Sequence, residues 1–209
     1  LNGDEYSYNC SSRFQTIFID GLVCFTFNML PARDLYNEFV LYPMIDTTHL
    51  TTKPGWNLDI MLKSADLAQT IPRYIDSNGR WAGLYINIEK ANKIRRSECG
   101  QTKINTKIVF HHPAEIPLPD THKFHDLPYS GDLFIHLLPS LVTAREELLE
   151  YSPEHRKCYF SHERKLSLFR SYTQRNCQLE CRVNCSLSLC DCVPFYLPRL
   201  NNTVRICGR

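Results

Sequence analysis

No apolar run in this 209-residue chain comes near the ~20 residues that a membrane-spanning helix needs. The longest, around Leu22 to Phe27, is a fraction of that, so no membrane helix is expected within the chain. An excess of charge is missing too. The 24 Lys and Arg are offset by 22 Asp and Glu, for a net charge of +2. A nucleic-acid binder needs a basic face, and the one basic cluster of note (Lys93, Arg95 and Arg96) reads as a solvated loop. No G-x-S-x-G elbow, H-E-x-x-H pair or P-loop occurs, so the motifs that announce common enzyme chemistries are absent. Internal repeats and low-complexity tracts are lacking as well. The chain opens on Leu1 and the polar residues Asn2, Gly3, Asp4 and Glu5, with no start methionine and no signal peptide. A fragment is therefore expected, with any membrane anchors outside the sequence given.

Cysteine, by contrast, is abundant. Ten cysteines in 209 residues suit an oxidising compartment. Three Asn-x-Ser/Thr triplets, at Asn9, Asn184 and Asn201, agree with an extracellular face and are candidate glycosylation sites. Cys177, Cys181, Cys185, Cys190, Cys192 and Cys207 crowd the end of the chain. The first three fall four residues apart, which puts them in one stripe on a helix. Neighbours at that spacing have Cβ atoms ~5–6 Å apart, whereas a disulfide wants about 3.8 Å. The stripe thus calls for partners on another segment, or for a metal.

Hydrophobic residues make up 43% and charged residues 22%, ordinary for a folded chain and against wholesale disorder. Residues 11–20 carry Phe14, Ile17 and Phe18 at helical spacing, with Gly21 as a stop. The segment 21–28, GLVCFTFN, reads as a strand. So do 56–64, 81–88 and 106–112, and 133–149 begins as one. Residues 165–186 look helical, with Tyr172 packed to one side of the cysteine stripe; Pro194 and Pro198 keep 192–198 out of that helix. The layout is α+β, with antiparallel strands, then one long helix and a disulfide-rich end.

The chemistry of the cysteines allows more than one reading. Cys190-Asp-Cys192 and Cys177…Cys181 have spacings that zinc sites use, but zinc competes poorly with oxidation outside the cell. Cys99 lies near Arg95, Arg96 and His111, a setting that can activate a thiol; a disulfide or a plain loop thiol is the simpler account. Glu146, Glu147 and Glu150 read as a solvated face. Disulfides cover most of the cysteines economically. No cofactor and no metal are expected.

The segments GLVCFTFN at 21–28, TKIVFHHPAEIP at 106–117 and RKCYFSHERKLSLFRSYTQRNCQLEC…CDCVPFYLP…IC at 156–207 together resemble the degenerin/epithelial sodium channel family, the last being closest to its insect pickpocket branch. The resemblance implies a multi-pass plasma-membrane protein, trimeric as homo- or hetero-oligomer, passing sodium and often blocked by amiloride. This chain would be an extracellular portion without the membrane helices or the pore. Residues 1–20 would end the finger with a helix segment, 21–140 would form antiparallel β-ball and palm strands, and 141–209 would lead from palm into a disulfide-rich helical thumb. The resemblance further implies that Cys192 and Cys207 bond each other, closing a loop of ~15 residues that contributes roughly 3 kcal/mol on the chain-entropy model. It matches Cys158, Cys177, Cys181 and Cys190 to cysteines with partners after Arg209, and Cys10 and Cys24 to cysteines with partners before Leu1. Cys99 and Cys185 have no counterpart. The acid-sensing branch has a tryptophan where His155 stands, so proton gating in that manner is not implied. A secreted cysteine-rich binding or signalling domain is the reading from another class, and it requires the disulfides to close within residues 1–209.

Overall fold

In a computed structural model of the chain, the described residues are 13–45, 51–52, 56, 58, 70–73, 84–88, 106–118, 122–128, 130–138 and 144–208. The segment F-Q-T-I-F-I is strand β1, Phe14–Ile19, where a helix was expected. The reason lies in period two. Gln15, Ile17 and Ile19 point inward and are buried, while Phe14, Thr16 and Phe18 take the other face. Aromatic and β-branched residues suit that pleated surface. Asp20 and Gly21 have φ of 49° and 79° and join β1 to β2, Leu22–Phe27, with Ile19 opposite Leu22. Asp-Gly is the residue pair that a two-residue type I′ hairpin favours. Gly21 therefore turns a hairpin and does not stop a helix.

Strand β3, Met44–Ile45, pairs antiparallel on the other side of β1, giving the order β2-β1-β3. Two small sheets follow. Thr51–Thr52 (β4) pairs parallel with Thr70–Ile71 (β5), and Lys107–Val109 (β6) pairs antiparallel with Phe124–Asp126 (β7). Two expected strands differ. Residues 84–88 and 133–138 have apolar, β-prone sequences but carry no strand pairing, and all of them are exposed. Of the expected strand at 56–64, Trp56 and Leu58 alone lie among the described residues. Helices are α1 (Ala32–Leu35), a 3-10 helix (Glu146–Glu150), α2 (Pro153–Arg156) and α3 (Gln174–Cys190). None of the described helices is long and apolar enough to cross a membrane. The content is mixed helix and strand.

The core gathers β1 (Ile17, Ile19), the α1 region (Leu30, Leu35, Tyr36), the 114–118 turn, Leu168 and Phe169, and the inner face of α3 (Leu179, Val183). Tyr42, Tyr36 and Phe169 stack in sequence, with ring centroids 4.9 and 5.3 Å apart.

The long helix starts later than its sequence suggests. Residues 166–169 form no helix: the chain bends at Ser167 and Leu168, bridges Phe169 to Tyr36, and buries Leu166, Leu168 and Phe169. Their backbone groups find distant partners. The Asn37 amide nitrogen donates to the carbonyls of Leu166 (2.8 Å), Ser167 (3.0 Å) and Phe169 (3.2 Å). The Glu180 carboxylate accepts the N–H groups of Ser167 (3.0 Å) and Leu168 (2.8 Å). With these bonds made, the segment has no need of helical ones. The helix begins where Thr173, at φ −129°, accepts the Asn176 N–H in its side chain. Tyr172 thus precedes the helix, packing edge-on against Tyr159 at 5.9 Å.

Asn37→Ala removes the shared donor of three carbonyls. It is expected to lower local stability by about 1–3 kcal/mol, read as faster amide exchange through residues 166–170 of the oxidised protein. Asn37→Asp, equal in size but lacking the N–H groups, should do the same.

Candidate functional site

Of the described residues singled out by the sequence, all but Cys24 lie on α3 or in the segments before and after it. Helix α3 buries Asn176, Leu179 and Val183. Asn176 reaches outside the helix, its amide nitrogen donating to Ala114 O at 2.9 Å and Ser171 O at 3.2 Å. Cys177 is half-buried and packs against the edge of the core, and Cys181 and Cys185 are exposed on the outer face. Leu189 is 78% exposed and joins Cys181, Cys185 and Cys190 around an open groove. Cys190 is also exposed, but five residues after Cys185 it sits about 140° further round at ~100° per residue. It is off the stripe. Cys24 lies in β2, half-buried opposite Ile17, where burial pushes its thiol pKa up. Cys158 is exposed just after α2. These six make no disulfide among the described residues. Cys10, Cys99 and Asn9 lie outside the described residues. Among the described residues no group of three His, Cys, Asp or Glu side chains could hold a metal ion.

At the C-terminal end of α3, Asp191 turns left-handed at φ 51° and its N–H bonds back to Leu187 O. Helix therefore ends before Pro194. Cys192 and Cys207 are bonded, with Cα atoms 5.0 Å apart and a sequence separation of 15. Beside the bond, the Val193 N–H donates to Arg205 O (2.8 Å) and the Cys207 N–H to Val193 O (3.0 Å). Val193 is fully buried. Leu41 and Arg199 exchange backbone bonds of 2.8 and 2.9 Å, and Phe195 packs edge-on to Phe18 at 6.5 Å. The disulfide loop is thus fastened to β1 and to the segment before β3.

Ahead of α3, one arginine organises the 146–163 segment. The Arg156 side chain is 4% exposed. Its Nε donates to Cys158 O (3.2 Å), and Nη1 to Leu148 O (3.4 Å) and Tyr151 O. Nη2 pairs with Glu163, and the guanidinium sits 4.5 Å above the Phe160 ring. The ion pair raises the Arg156 pKa and lowers that of Glu163. Ser152 caps α2 ahead of Pro153, and His155 stacks on Tyr151 at 5.4 Å. Nothing in the local sequence marks Arg156 for this role, since its partners are mainly carbonyls that any residue supplies. Arg156→Met should open the segment to limited proteolysis between residues 146 and 163 while leaving α3 protected.

Near the first turn of α3, two histidines are held neutral. His111 Nδ1 faces the carbonyls of His112 (2.9 Å) and Glu115 (3.1 Å), which accept only, so Nδ1 carries the proton. Nε2 then accepts from the Thr26 hydroxyl at 2.8 Å. His122 Nδ1 lies 3.0 Å from the Leu118 N–H and 3.1 Å from Arg175 Nη1, and Arg175 Nε faces Glu115 at 3.5 Å. Burial lowers the pKa of both rings, and the Arg175 cation lowers that of His122 further. A depressed histidine pKa means that the unfolded chain binds more protons. The stabilisation is complete above about pH 6.5 and declines as pH falls from there through the lowered folded values. Thermal unfolding followed against pH should show that decline, and His111→Gln should make it shallower.

The family described as amiloride-sensitive sodium channel matches residues 1–209, and the chain belongs to it. The family is one of ion channels, and its membership agrees with the motifs at 21–28, 106–117 and 156–207. Among curated relatives, Pickpocket protein 28 of Drosophila melanogaster is 26% identical over 204 residues, 96% of this chain and 33% of that protein. Pickpocket protein 11 of the same fly is 36% identical over 88 residues, 42% of this chain and 17% of that protein. Sodium channel protein Nach of Drosophila ananassae is 28% identical over 81 residues, 39% of this chain and 16% of that protein. The matched residues thus span a third of the first relative's length and less of the other two. No solved structure gives a significant match.

Proposed function

We propose that this chain is the extracellular portion of a sodium-permeable, amiloride-sensitive-type channel subunit, and that it couples an extracellular stimulus to the gating of a trimeric pore. The observation that carries the reading is the family match along the whole chain. In this reading the subunit sits in the plasma membrane as a homo- or hetero-trimer, its membrane helices and pore belong to the parent protein beyond these residues, and the segment binds neither nucleic acid nor cofactor and catalyses nothing. Residues 1–20 end the finger, 21–140 supply β-ball and palm, and 141–209 form the approach to the thumb and its first helix.

The cysteines take their roles from the same reading. Cys177 and Cys181 are rungs that bind α3 to a segment following Arg209, with Cys158 and Cys190 joined to that segment too. Cys10 and Cys24 pair with cysteines before Leu1. The outward stripe supports this, because four-residue spacing on a helix suits a partner lying alongside and not bonds within the stripe. The secreted-domain alternative needs these thiols to close among themselves. Cys24, Cys158, Cys177, Cys181, Cys185 and Cys190 make no disulfide with one another among the described residues, in keeping with the channel reading.

Two measurements test the proposal. The parent transcript expressed in oocytes should give an amiloride-sensitive sodium current; its absence at a cell surface that displays the protein would sink the channel assignment. Peptide mapping of the oxidised protein should find Cys192 joined to Cys207, and Cys177 and Cys181 joined to peptides outside residues 1–209. All ten cysteines paired within the chain would overturn the ladder.

A further inference from the structure

Two Asn-x-Ser/Thr triplets lie among the described residues, and their surroundings are unalike. Asn201 sits in an exposed turn with Asn202 and Thr203. Its Oδ1 accepts the Thr203 N–H at 3.0 Å and the Thr203 hydroxyl at 2.5 Å. The side-chain amide and the hydroxyl two residues on are therefore already together, as a turn-forming asparagine permits. Both bonds use the oxygen, and neither uses the amide nitrogen to which a glycan is joined. The turn is held from both sides. Arg199 Nη1 donates to Val204 O at 2.8 Å across its neck, and the Cys192–Cys207 bond closes the loop that carries it.

Asn184 is exposed as well, but it lies inside the seventeen-residue α3. Residues two apart on a helix are separated by about 200° around the axis. The Asn184 amide and the Ser186 hydroxyl thus face nearly opposite ways, and Ser186 is half-buried. The residue between them is Cys185, and Cys181 is one turn back on the face with the open groove. A branched sugar at Asn184 would stand over the flank of that face.

We propose that Asn201 carries an N-linked oligosaccharide and that Asn184 stays unmodified. The donor is a lipid-pyrophosphate-linked oligosaccharide of the secretory pathway. The Asn201 amide nitrogen forms a bond to the anomeric carbon, the bond from that carbon to the carrier's phosphate oxygen breaks, and the nitrogen gives up one proton as the lipid pyrophosphate leaves. No electrons are gained or lost. The inference rests on the extracellular placement proposed above, since a cytosolic face would never meet the donor.

The experiment uses the full-length protein expressed in animal cells, with gel mobility read before and after endoglycosidase treatment. Asn201→Gln and Thr203→Ala should each remove the same single step in mobility, Thr203→Ser should keep it, and Asn184→Gln should leave the pattern of the parent unchanged. A control pair, Ser130→Asn with Asp132→Thr, places a new triplet in an exposed segment and should add a step. If that added site is modified while Asn201→Gln changes nothing, or while Asn184→Gln removes a step, the assignment is overturned. An added site that stays unmodified overturns the extracellular placement, and this inference with it.

Discussion

Residues 166–169 carry Leu166, Leu168 and Phe169 into the core without a strand or helix of their own, and the arrangement of the rest follows from how their backbone is satisfied. Three carbonyls take the Asn37 amide and two N–H groups take the Glu180 carboxylate. Asn37 follows α1, and Glu180 is in the middle of α3. A buried polar backbone group left unpaired costs about 1–3 kcal/mol, so the segment fixes both elements at once. It sets α1 on one side and the inner face of α3 on the other. With those in place, Tyr36 stacks between Tyr42 and Phe169, and Asn176 reaches Ala114.

The same turn region that receives Asn176 holds the neutral histidines. His111 ties the end of β2 to the 112–115 turn through Thr26, and His122 meets Arg175 at the start of α3. Hydrophobic burial positions α3, and a few directional bonds at its N-terminal end fix how it sits. Cys177 still packs against the edge of the core, whereas Cys181, Cys185 and Cys190 are exposed and take no part in it.

Much of this was legible in the chain. The GLVCFTFN and TKIVFHH strands, the cysteine stripe, the helix end ahead of Pro194 and the family membership all follow from local pattern. Other features were hidden for identifiable reasons. Phe14, Ile17 and Phe18 satisfy a helical spacing, yet F-Q-T-I-F-I satisfies period two equally well; Asp20-Gly21, the hairpin signal, decides between them. Residues 165–173 read as helix because their backbone partners sit far away in sequence, at Asn37, or inside the next element, at Glu180. The LYINI and LFIHLL segments have strand composition, but composition does not supply a neighbour to pair with. Arg156 was unreadable because its partners are chiefly main-chain oxygens.

Helix α3 is pinned at both ends to one body. Asn176 and Arg175 hold its start to the 114–115 turn, while the disulfide loop beyond its last residue is stitched to Leu41 and packed on Phe18. A rod fixed at a single end can swing; a rod fixed at two has lost those degrees of freedom. A load applied to its cysteine-lined face is therefore borne by both anchors, the 114–115 turn at one end and Leu41 with Phe18 of β1 at the other.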